Sequence, residues 1–553
     1  MPSTPTTKSQ VQAYRFVLRR MQSALVRKDA VMLHDPMRTH TRATIVGVCL
    51  AGLGLLGFLI WGILAPKPTA PTKDGIVIGK PSGQVYVLVA QPQRKLIPVF
   101  NLASARLLLQ ARKEGGDEKS NPVGNAEGPG SGGGAVKVEA PKVVDDNELR
   151  DIPKDRKVGI PDGPDLLPSA DQRVGPPWTV CDEAQLNRDL PDPDENQPDR
   201  KNAETTVMAG VSDLGAQLAQ NESLLVRLDV EAPGQSPDDQ RAYLVYRTPG
   251  TANLPNTSAV RAEVDLSRDD VTTALGLERA EPREISVGLL NAIPEKAALA
   301  TPDIDSLGNA SRVDDLDEFG IVRNGEVFQV DRAGETSRFY VLQRDGIEEV
   351  KQTTAELLRY HDNPGAPEIT AVTPDAITNI RQVNNIDDST FPERNTEVLA
   401  AENFPVACLS WRTVGEGDNR EARTAVHIGK TVPGRPTPVR ISSPSADGVR
   451  IDYFYMPPGR GAVVRQATSN ADFDTGQITL ISDRGVKYGV PDATTAAALG
   501  LDNQLPAPQN IIQLLPDGAS LSVDDVEQSF DSVPYDRGEY PTESEQARPQ
   551  GGG

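Results

Sequence analysis

One uncharged stretch near the start of the chain limits most strongly what the chain can fold into. Residues 44–64 are 21 apolar or small side chains in succession. A helix of this length, with a rise of about 1.5 Å per residue, spans about 30 Å, the thickness of a bilayer hydrocarbon core. We therefore predict one transmembrane helix over 44–64, preceded by a basic arm over 1–43.

The charges beside this stretch predict its orientation. The first 42 residues carry eight Lys or Arg against Asp29 and Asp35. Because cytoplasmic flanks are rich in Lys and Arg, we expect a cytoplasmic N-terminus and about 490 residues in the periplasm or an equivalent extracytoplasmic space. The rival prediction is a cleaved signal peptide, but the apolar run is too long and no small-x-small site directly follows it. The predicted localisation is a single-pass protein of the inner, or plasma, membrane.

Charge and cysteine usage agree with export. The chain has a net charge of −21 despite its basic start, which argues against nucleic-acid binding because that binding needs clustered Lys and Arg. Cys49 lies inside the predicted span. The other two cysteines, Cys181 and Cys408, are expected to pair in an oxidising compartment and to close a loop of 227 residues. With four His and no CxxC pair, the sequence predicts no metal site.

The arm before the span predicts an amphipathic helix from about 7 to 33. Apolar residues recur there at spacings of three and four, and arginines occupy other faces. A basic amphipathic helix of this kind binds an anionic membrane surface, docks on a partner protein, or serves as a positive stop before the anchor. We favour docking because the apolar spacing is regular. The predicted partner-binding residues are Val11, Tyr14, Arg15, Phe16, Leu18, Arg19, Arg20, Met21 and Leu25.

The exported part predicts an α+β fold of four loosely repeated modules around a β-rich central core. Each module has a β-like run and then the start of a helix rich in small residues. The β-like runs begin at Val85, Tyr243, Tyr340 and Ile478, and the helices begin near Asn101, Asp270, Thr353 and Thr494. Thr-Thr-Ala recurs in the last three helix starts, where Thr is a good N-cap. Uneven spacing argues against a solenoid, and connectors at 432–440 and 453–465 are expected to form the core.

The predicted domain boundaries follow from these signals and from composition. Residues 114–135 are rich in Gly and cannot bury an apolar face, so they predict a flexible linker. The predicted parts after the span are a first repeat at 65–113, a linker at 114–157, an extracytoplasmic domain at 158–530 with repeats near 241–294, 338–380 and 476–518, and a disordered acidic tail at 531–553.

A search for catalytic motifs finds little in the sequence. A phosphate-binding loop needs G-x-x-x-x-G-K-[ST]. The segment Gly429-Lys430-Thr431 has Thr424 at the first Gly position, and the segment ending at Lys80 is one residue too short. HExxH and GxSxG are absent from the sequence. We predict no catalytic residues, no cofactor and no enzymatic activity.

Several segments, taken in order, carry a resemblance to one known family. They include Tyr14-Arg15-Phe16, Gly159-Ile-Pro161, Trp178-Thr-Val-Cys-Asp182, Leu290-Asn-Ala-Ile-Pro294 and Gly485-Val-x-Tyr-Gly-Val-Pro491. Beside a single N-terminal span, this set resembles the EccB family of the type VII (ESX) secretion systems of actinobacteria. The resemblance covers nearly the whole chain. The Gly-rich insertion and the acidic tail depart from the family pattern.

The resemblance implies a structural role in secretion. It implies a non-catalytic subunit that helps to assemble and stabilise the channel on the extracytoplasmic side. The implied partners are the motor ATPase EccC, EccD, EccE, the mycosin protease and other copies of EccB. It also implies an elongated four-repeat domain similar to a phage-lysin cell-wall-binding fold, with Cys181 and Cys408 as its bridge. The arm over 10–35 would meet the cytoplasmic side of the complex.

Two other functions stay open at this point. The repeats could bind peptidoglycan, which would make the chain a membrane-anchored cell-wall-binding module. Some family members carry an ATPase label, which would make it a nucleotide hydrolase. A further hypothesis is that copies meet through Gly47 and Ala51, a small-xxx-small pair in the span.

Overall fold

The computed structural model describes residues 7–27, 36–64, 70–117, 140–184, 203–228, 241–248 and 258–529, the last with short gaps at 333, 335, 362–364, 366, 434–437 and 444–450. The chain divides into two compact bodies, the N-terminal body Met1–Thr69 and the C-terminal body Ala70–Gly553. The predicted tail at 531–553 and most of the Gly-rich stretch, 118–139, lie outside the described residues.

The N-terminal body contains two helices. The first, α1, spans Lys8–Arg27 and covers most of the predicted amphipathic helix, whose residues 28–33 lie outside the described part. The second, α2, spans Pro36–Leu64 and includes Arg42–Ile63, a segment long and apolar enough to cross a membrane. It begins before the predicted span at Pro36, since proline is well tolerated in a first helical turn. Among the described residues it is the one helix of this kind.

Four sheets in the C-terminal body share one strand order. In each, the first strand pairs antiparallel with the second and the second with the third. A fourth strand then lies parallel beside the first. A parallel return needs a crossover connection, and a helix before the fourth strand supplies it. We call these sheets with their helices the first to fourth units.

The bounds of the units show how similar they are. The first unit comprises Gly75–Lys80, Val85–Val89, Lys95–Pro98, helix α3 (Leu102–Asp117) and Lys142–Asp145. The second comprises Glu222–Leu228, Ala242–Arg247, Ala259–Val264, helix α4 (Asp269–Leu275) and Arg283–Ile285, and is followed by helix α5 (Val287–Ala292). Its sheet also includes Glu295–Lys296 and Glu397–Val398.

The later units repeat this order. The third comprises Val327–Val330, Arg338–Gln343, Gly346–Val350, helix α6 (Gln352–Tyr360) and Thr370–Val372. The fourth comprises Gly461–Ala467, Ile478–Ser482, Lys487–Val490, helix α7 (Ala493–Leu499) and Leu505–Pro508, and is followed by helices α8 (Gln509–Ile512) and α9 (Val523–Val526). Short 3-10 helices occupy Asp146–Leu149, Ala170–Gln172, Asp317–Phe319, Gly417–Asn419 and Asn470–Asp472.

A fifth sheet, the central sheet, has seven strands. Their order across the sheet is Val439–Arg440, Tyr453–Tyr455, Ala203–Ala209, Trp178–Ala184, Val406–Val414, Glu421–Gly429 and Ala216–Gln217. The side chain of Trp178 is fully buried beneath it. Because its strands come from distant parts of the chain, the central sheet ties early and late segments together.

Buried apolar clusters show how these parts pack. One cluster combines Leu107 of the first unit with Leu480 and Leu499 of the fourth. Another joins the central sheet to the second and fourth units, and a third joins the second unit to Leu357 of the third. The first unit therefore packs on the fourth, and the second packs on the third. Burial of such side chains stabilises a fold by roughly 25 cal/mol per Å² of apolar area.

The structure differs from the sequence prediction in unit boundaries and in strands. The second, third and fourth units begin at Glu222, Val327 and Gly461, earlier than the repeats predicted near 241–294, 338–380 and 476–518, because the first strand of each was not recognised. The strand Lys142–Asp145 lies inside the range predicted as linker, where it pairs with Gly75–Lys80 and completes the first unit. The connectors 432–440 and 453–465 supply only two short strands to the central sheet, and Gly461–Ala467 instead begins the fourth unit. Strand partners are set by contacts between distant segments, which local patterns do not encode.

Candidate functional site

Five of the nine predicted docking residues of α1 form an apolar row along one side of the helix. At about 100° per residue, Val11, Tyr14, Leu18, Met21 and Leu25 fall on adjoining rows of one face. These five side chains are between 40% and 78% exposed. An apolar row left in solvent is typical of a helix that completes its packing on another surface.

The other predicted docking residues lie away from the apolar row. The same helical spacing puts Phe16 and Arg20 on the opposite side, and Arg15 and Arg19 on a flank. A partner that covers the apolar row therefore leaves Phe16 uncovered. Within the described part of the chain, Arg15, Arg19 and Arg20 make no ion pair, so their charges are open to an acidic surface.

The predicted disulfide is confirmed and lies in the central sheet. Cys181 and Cys408 are directly opposite on neighbouring antiparallel strands, with their Cα atoms 3.9 Å apart. Both side chains are buried. The bond joins residues 227 positions apart, and it links the strands Trp178–Ala184 and Val406–Val414. Among the described residues, no group of three or more His, Cys, Asp or Glu is arranged to hold a metal ion.

A buried carboxylate follows the first cysteine. Asp182 accepts hydrogen bonds from the backbone N–H of Ser286 at 2.7 Å, from the Ser286 hydroxyl at 2.9 Å and from the Thr205 hydroxyl at 2.9 Å. Burial raises the pKa of the Asp182 carboxyl, and these hydrogen bonds and the charge of Arg283 oppose that shift. Ser286 is the N-cap of α5, so Asp182 fastens the second unit to the central sheet.

Sequence reasoning missed this role of Asp182. It noted the residue only as the last letter of a motif. The available signal was an acidic side chain in a strand whose first five positions are all buried. A carboxylate in such a place needs hydrogen-bond donors because burying an unpaired charge is costly.

Neither candidate nucleotide motif forms a phosphate-binding loop. Gly75–Lys80 is a strand whose backbone pairs with neighbours on both sides, so its N–H groups are not free to cradle phosphate. Gly429 ends a strand of the central sheet, and the next described element is the short strand Val439–Arg440 rather than a helix. The phosphate-binding motif requires a helix directly after the loop.

One serine–histidine contact resembles the nucleophile and general base of a hydrolase, but its serine is buried. The Ser410 hydroxyl lies 3.0 Å from Nε2 of His427, and Nδ1 of His427 lies 3.5 Å from the carbonyl oxygen of Gly215. Burial lowers the pKa of His427, which favours the neutral ring. Ser410 is only 6% exposed, so a substrate cannot reach it. We interpret the pair as packing beside the disulfide.

Comparison with known proteins finds one family over nearly the whole chain. A family model described as type VII secretion system ESX-1, transport TM domain B, matches residues 3–535. The ESX-1 secretion system ATPase EccB1 of Mycolicibacterium smegmatis is 30% identical over 538 residues, covering 96% of each chain. The protein of the same name from Mycobacterium tuberculosis is 27% identical, also over 96% of each chain. The ESX-3 secretion system ATPase EccB3 of Mycolicibacterium smegmatis is 28% identical, covering 95% of this chain and 91% of that one.

Solved structures share the fold. A chain in the structure of an intact ESX-5 inner membrane complex matches with a TM-score of 0.63 and 23% identity, over 98% of this chain and 99% of that one. The structure of an EccB3 dimer from the ESX-3 core complex matches with a TM-score of 0.62 and 24% identity, over 82% of this chain and 100% of that one.

Proposed function

The chain belongs to the EccB family of the type VII (ESX) secretion system, and from this premise we propose that it is a non-catalytic structural subunit of an ESX inner-membrane complex. Its exported part would help to assemble and stabilise the channel on the extracytoplasmic side. Support comes from relatives whose names assign them to ESX-1 and ESX-3 secretion systems. Chains of the same fold occur in structures titled as an ESX-5 inner membrane complex and an EccB3 dimer.

The observation that carries the structural role is the disulfide-linked central sheet. Its cysteines join two neighbouring strands, and the buried Asp182 fastens one of these strands to the second unit. The fourth unit packs on the same sheet and on the first unit. A body held together in this way suits a scaffold. The common strand order further supports the proposal that the four units are repeats of one module.

The N-terminal body, Met1–Thr69, supports a role for α1 in assembly. We place α1 in the cytoplasm because eight basic residues precede the span. Its apolar row and arginines would dock on a cytoplasmic partner, for which the motor ATPase EccC is our first candidate. EccD, EccE, the mycosin protease and other EccB copies are the remaining proposed partners. Gly47 and Ala51, on the exposed surface of α2, are a candidate contact between copies.

The test is purification of tagged full-length protein from its native membranes in mild detergent, followed by a native gel and mass spectrometry. We expect a large species that contains a motor ATPase and multi-span partners. A triple variant, Val11→Ser, Leu18→Ser and Leu25→Ser, should reduce the recovered motor ATPase by about tenfold, since it removes three of the five side chains of the apolar row while leaving the arginines. Phe16→Ser, on the opposite side of α1, is the matched control and should recover it fully.

Two outcomes would contradict the proposal. Recovery of the chain as a lone species that binds purified cell wall would favour the anchoring module. The relatives' names favour a second candidate, an ATPase. Hydrolysis of ATP by the purified full-length chain that is lost in Lys430→Ala would establish that activity instead, because Lys430 is the lysine of the nearest motif.

A further inference from the structure

A cavity of about 430 Å³ lies where the second unit meets the central sheet. It is lined by the ends of Trp178–Ala184 and Glu222–Leu228, by residues 279–284, and by residues 398–402. Ligand-binding cavities are typically about 300–1,000 Å³ and often occur where two structural bodies meet. The size and position of this cavity therefore fit a small ligand.

Three arginines face this cavity. Arg283 is 6% exposed, and its guanidinium donates to the carbonyl oxygens of Phe404 at 2.7 Å and Pro405 at 2.6 Å. Arg227 is half-buried and Arg279 is exposed. Within the described ranges, none of these arginines makes an ion pair. Buried guanidinium groups are usually balanced by a carboxylate. Asp182 and Glu402 attract Arg283 without an ion-pair contact, and Arg227 and Arg279 have no contact counter-ion among the described residues.

Three carboxylates, Glu281, Glu284 and Glu402, line the same cavity. Glu281 and Glu402 are exposed, and Glu284 is half-buried and engaged in another polar contact. Considering only described residues, no nitrogen of the three arginines lies within 4.0 Å of these carboxylates. Groups of opposite charge therefore share one cavity but are held apart. This arrangement leaves both signs of charge able to contact a bound molecule.

We propose that this cavity binds a small zwitterion, either a free amino acid or a dipeptide. The ligand's carboxylate would bind the guanidinium groups, whose planar arrays of N–H donors match a carboxylate in two-point hydrogen bonds. The ligand's ammonium group would lie against Glu281 and Glu402. The side chains that bind it belong to the exported part alone, so binding is independent of assembly with ESX partners.

The test uses full-length protein in detergent and isothermal titration calorimetry. The probes are alanine, alanyl-alanine, N-acetyl-alanyl-alanine and alanyl-alanine amide. We expect alanine or alanyl-alanine to bind with a Kd below about 1 mM, and the preferred one of the two identifies the source of the ligand. Blocking either end of the dipeptide should weaken binding by at least about tenfold, because each block removes one of the two charges.

Exposed positions provide variants that should not disturb folding. Arg279→Gln and Glu402→Gln should each weaken binding by about tenfold, since each removes one charged contact. Arg344→Gln, an exposed arginine of the third unit, is the matched control and should bind like the parent. An unchanged midpoint of thermal unfolding shows that each variant is folded like the parent. No binding of any probe up to about 10 mM, equal binding of a blocked dipeptide, or parental binding by both variants would overturn the proposal.

Discussion

Asp182 places a carboxyl group where a strand normally buries a hydrocarbon side chain. Its oxygens accept hydrogen bonds from Ser286 and Thr205, and the guanidinium of Arg283 supplies a nearby positive charge. Each donor belongs to a different strand or helix from Asp182. The residue therefore stabilises the junction between the central sheet and the second unit as well as its own strand.

Removing this carboxyl group should destabilise the folded chain. Asp182→Ala leaves the partly buried backbone N–H of Ser286 without an acceptor, which costs about 1–3 kcal/mol in the free energy of unfolding. Asp182→Asn should cost less, because its amide oxygen can accept from the Ser286 N–H while the two hydroxyls rotate to accept from its NH₂ group. Chemical denaturation of the three proteins measures both differences.

The pKa of Asp182 predicts a pH dependence of stability. Because burial raises this pKa, the folded chain binds the proton more tightly than the unfolded chain. The resulting stability is fully present below the unfolded pKa and is lost as pH rises through the folded pKa. Asp182→Asn, which does not titrate, should therefore gain stability relative to the parent as the pH rises above about 4, the ordinary pKa of an aspartate.

The control for this pH dependence is an exposed aspartate. Asp213→Asn, in the exposed segment before Ala216–Gln217, removes one surface carboxyl group and should not reproduce the stability change of Asp182→Asn. If the stability difference between the parent and Asp182→Asn stays constant across the pH range, the raised pKa is wrong.

At the scale of elements, the two strands joined by the disulfide belong to parts of the chain that are far apart in sequence. A bond over 227 residues restricts the unfolded chain, and such bonds typically stabilise by about 2–4 kcal/mol. The paired register of the strands places the cysteines opposite each other before the bond forms. The disulfide therefore adds to a pairing that hydrogen bonds and burial already favour.

Replacing both cysteines should lower stability without changing the fold. We expect Cys181→Ala with Cys408→Ala to reduce the free energy of unfolding by about 2–4 kcal/mol, measured by denaturant unfolding. Cys49→Ala, in α2, is the matched control and should have no such effect because Cys49 is a free cysteine. Reduction of the parent with dithiothreitol should reproduce the loss, and a parent unaffected by reduction would contradict it.

The elements that could be predicted carry a strong local signal. Val85–Val89 and Ile478–Ser482 are strands where the sequence has unbroken β-branched and apolar runs, and α1 follows its apolar spacing. Lys142–Asp145 could not be predicted, since it is four residues long and gains its place only by pairing with a strand about 65 residues earlier. The cavity was missed for a similar reason, because its charges come from separate segments.

At the scale of the whole molecule, the first and fourth units pack together although most of the chain separates them. The guanidinium of Arg106, in α3, donates to the backbone carbonyl of Leu499 at the end of α7, across 393 residues. The backbone N–H of Gly159 donates to the carbonyl of Gln528 at 3.2 Å, and the Ser529 hydroxyl to the carbonyl of Lys157 at 3.0 Å. Early and late segments of Ala70–Gly553 are therefore held in direct contact.

This contact predicts that the first unit remains attached after the chain is cut. A protease site inserted within 118–139 divides the chain between α3 and the strand Lys142–Asp145. We expect the N-terminal fragment to remain bound through the parallel pairing of Gly75–Lys80 with that strand and through the shared apolar cluster. The measurement is affinity purification in detergent through a C-terminal tag, in which the N-terminal fragment should co-elute with the C-terminal one.

Substitutions in α3 then test whether the observed contacts hold the fragment. Arg106→Ala removes the donor to Leu499 and leaves that carbonyl unpaired, so it should weaken retention by about 1–3 kcal/mol, or roughly 5- to 160-fold in the dissociation equilibrium under mild denaturant. Arg112→Ala, on the same helix and without an ion pair among the described residues, should retain the fragment like the parent. Immediate release of the fragment from the cut parent would show that covalent continuity, rather than packing of the first unit on the fourth, holds these two units together.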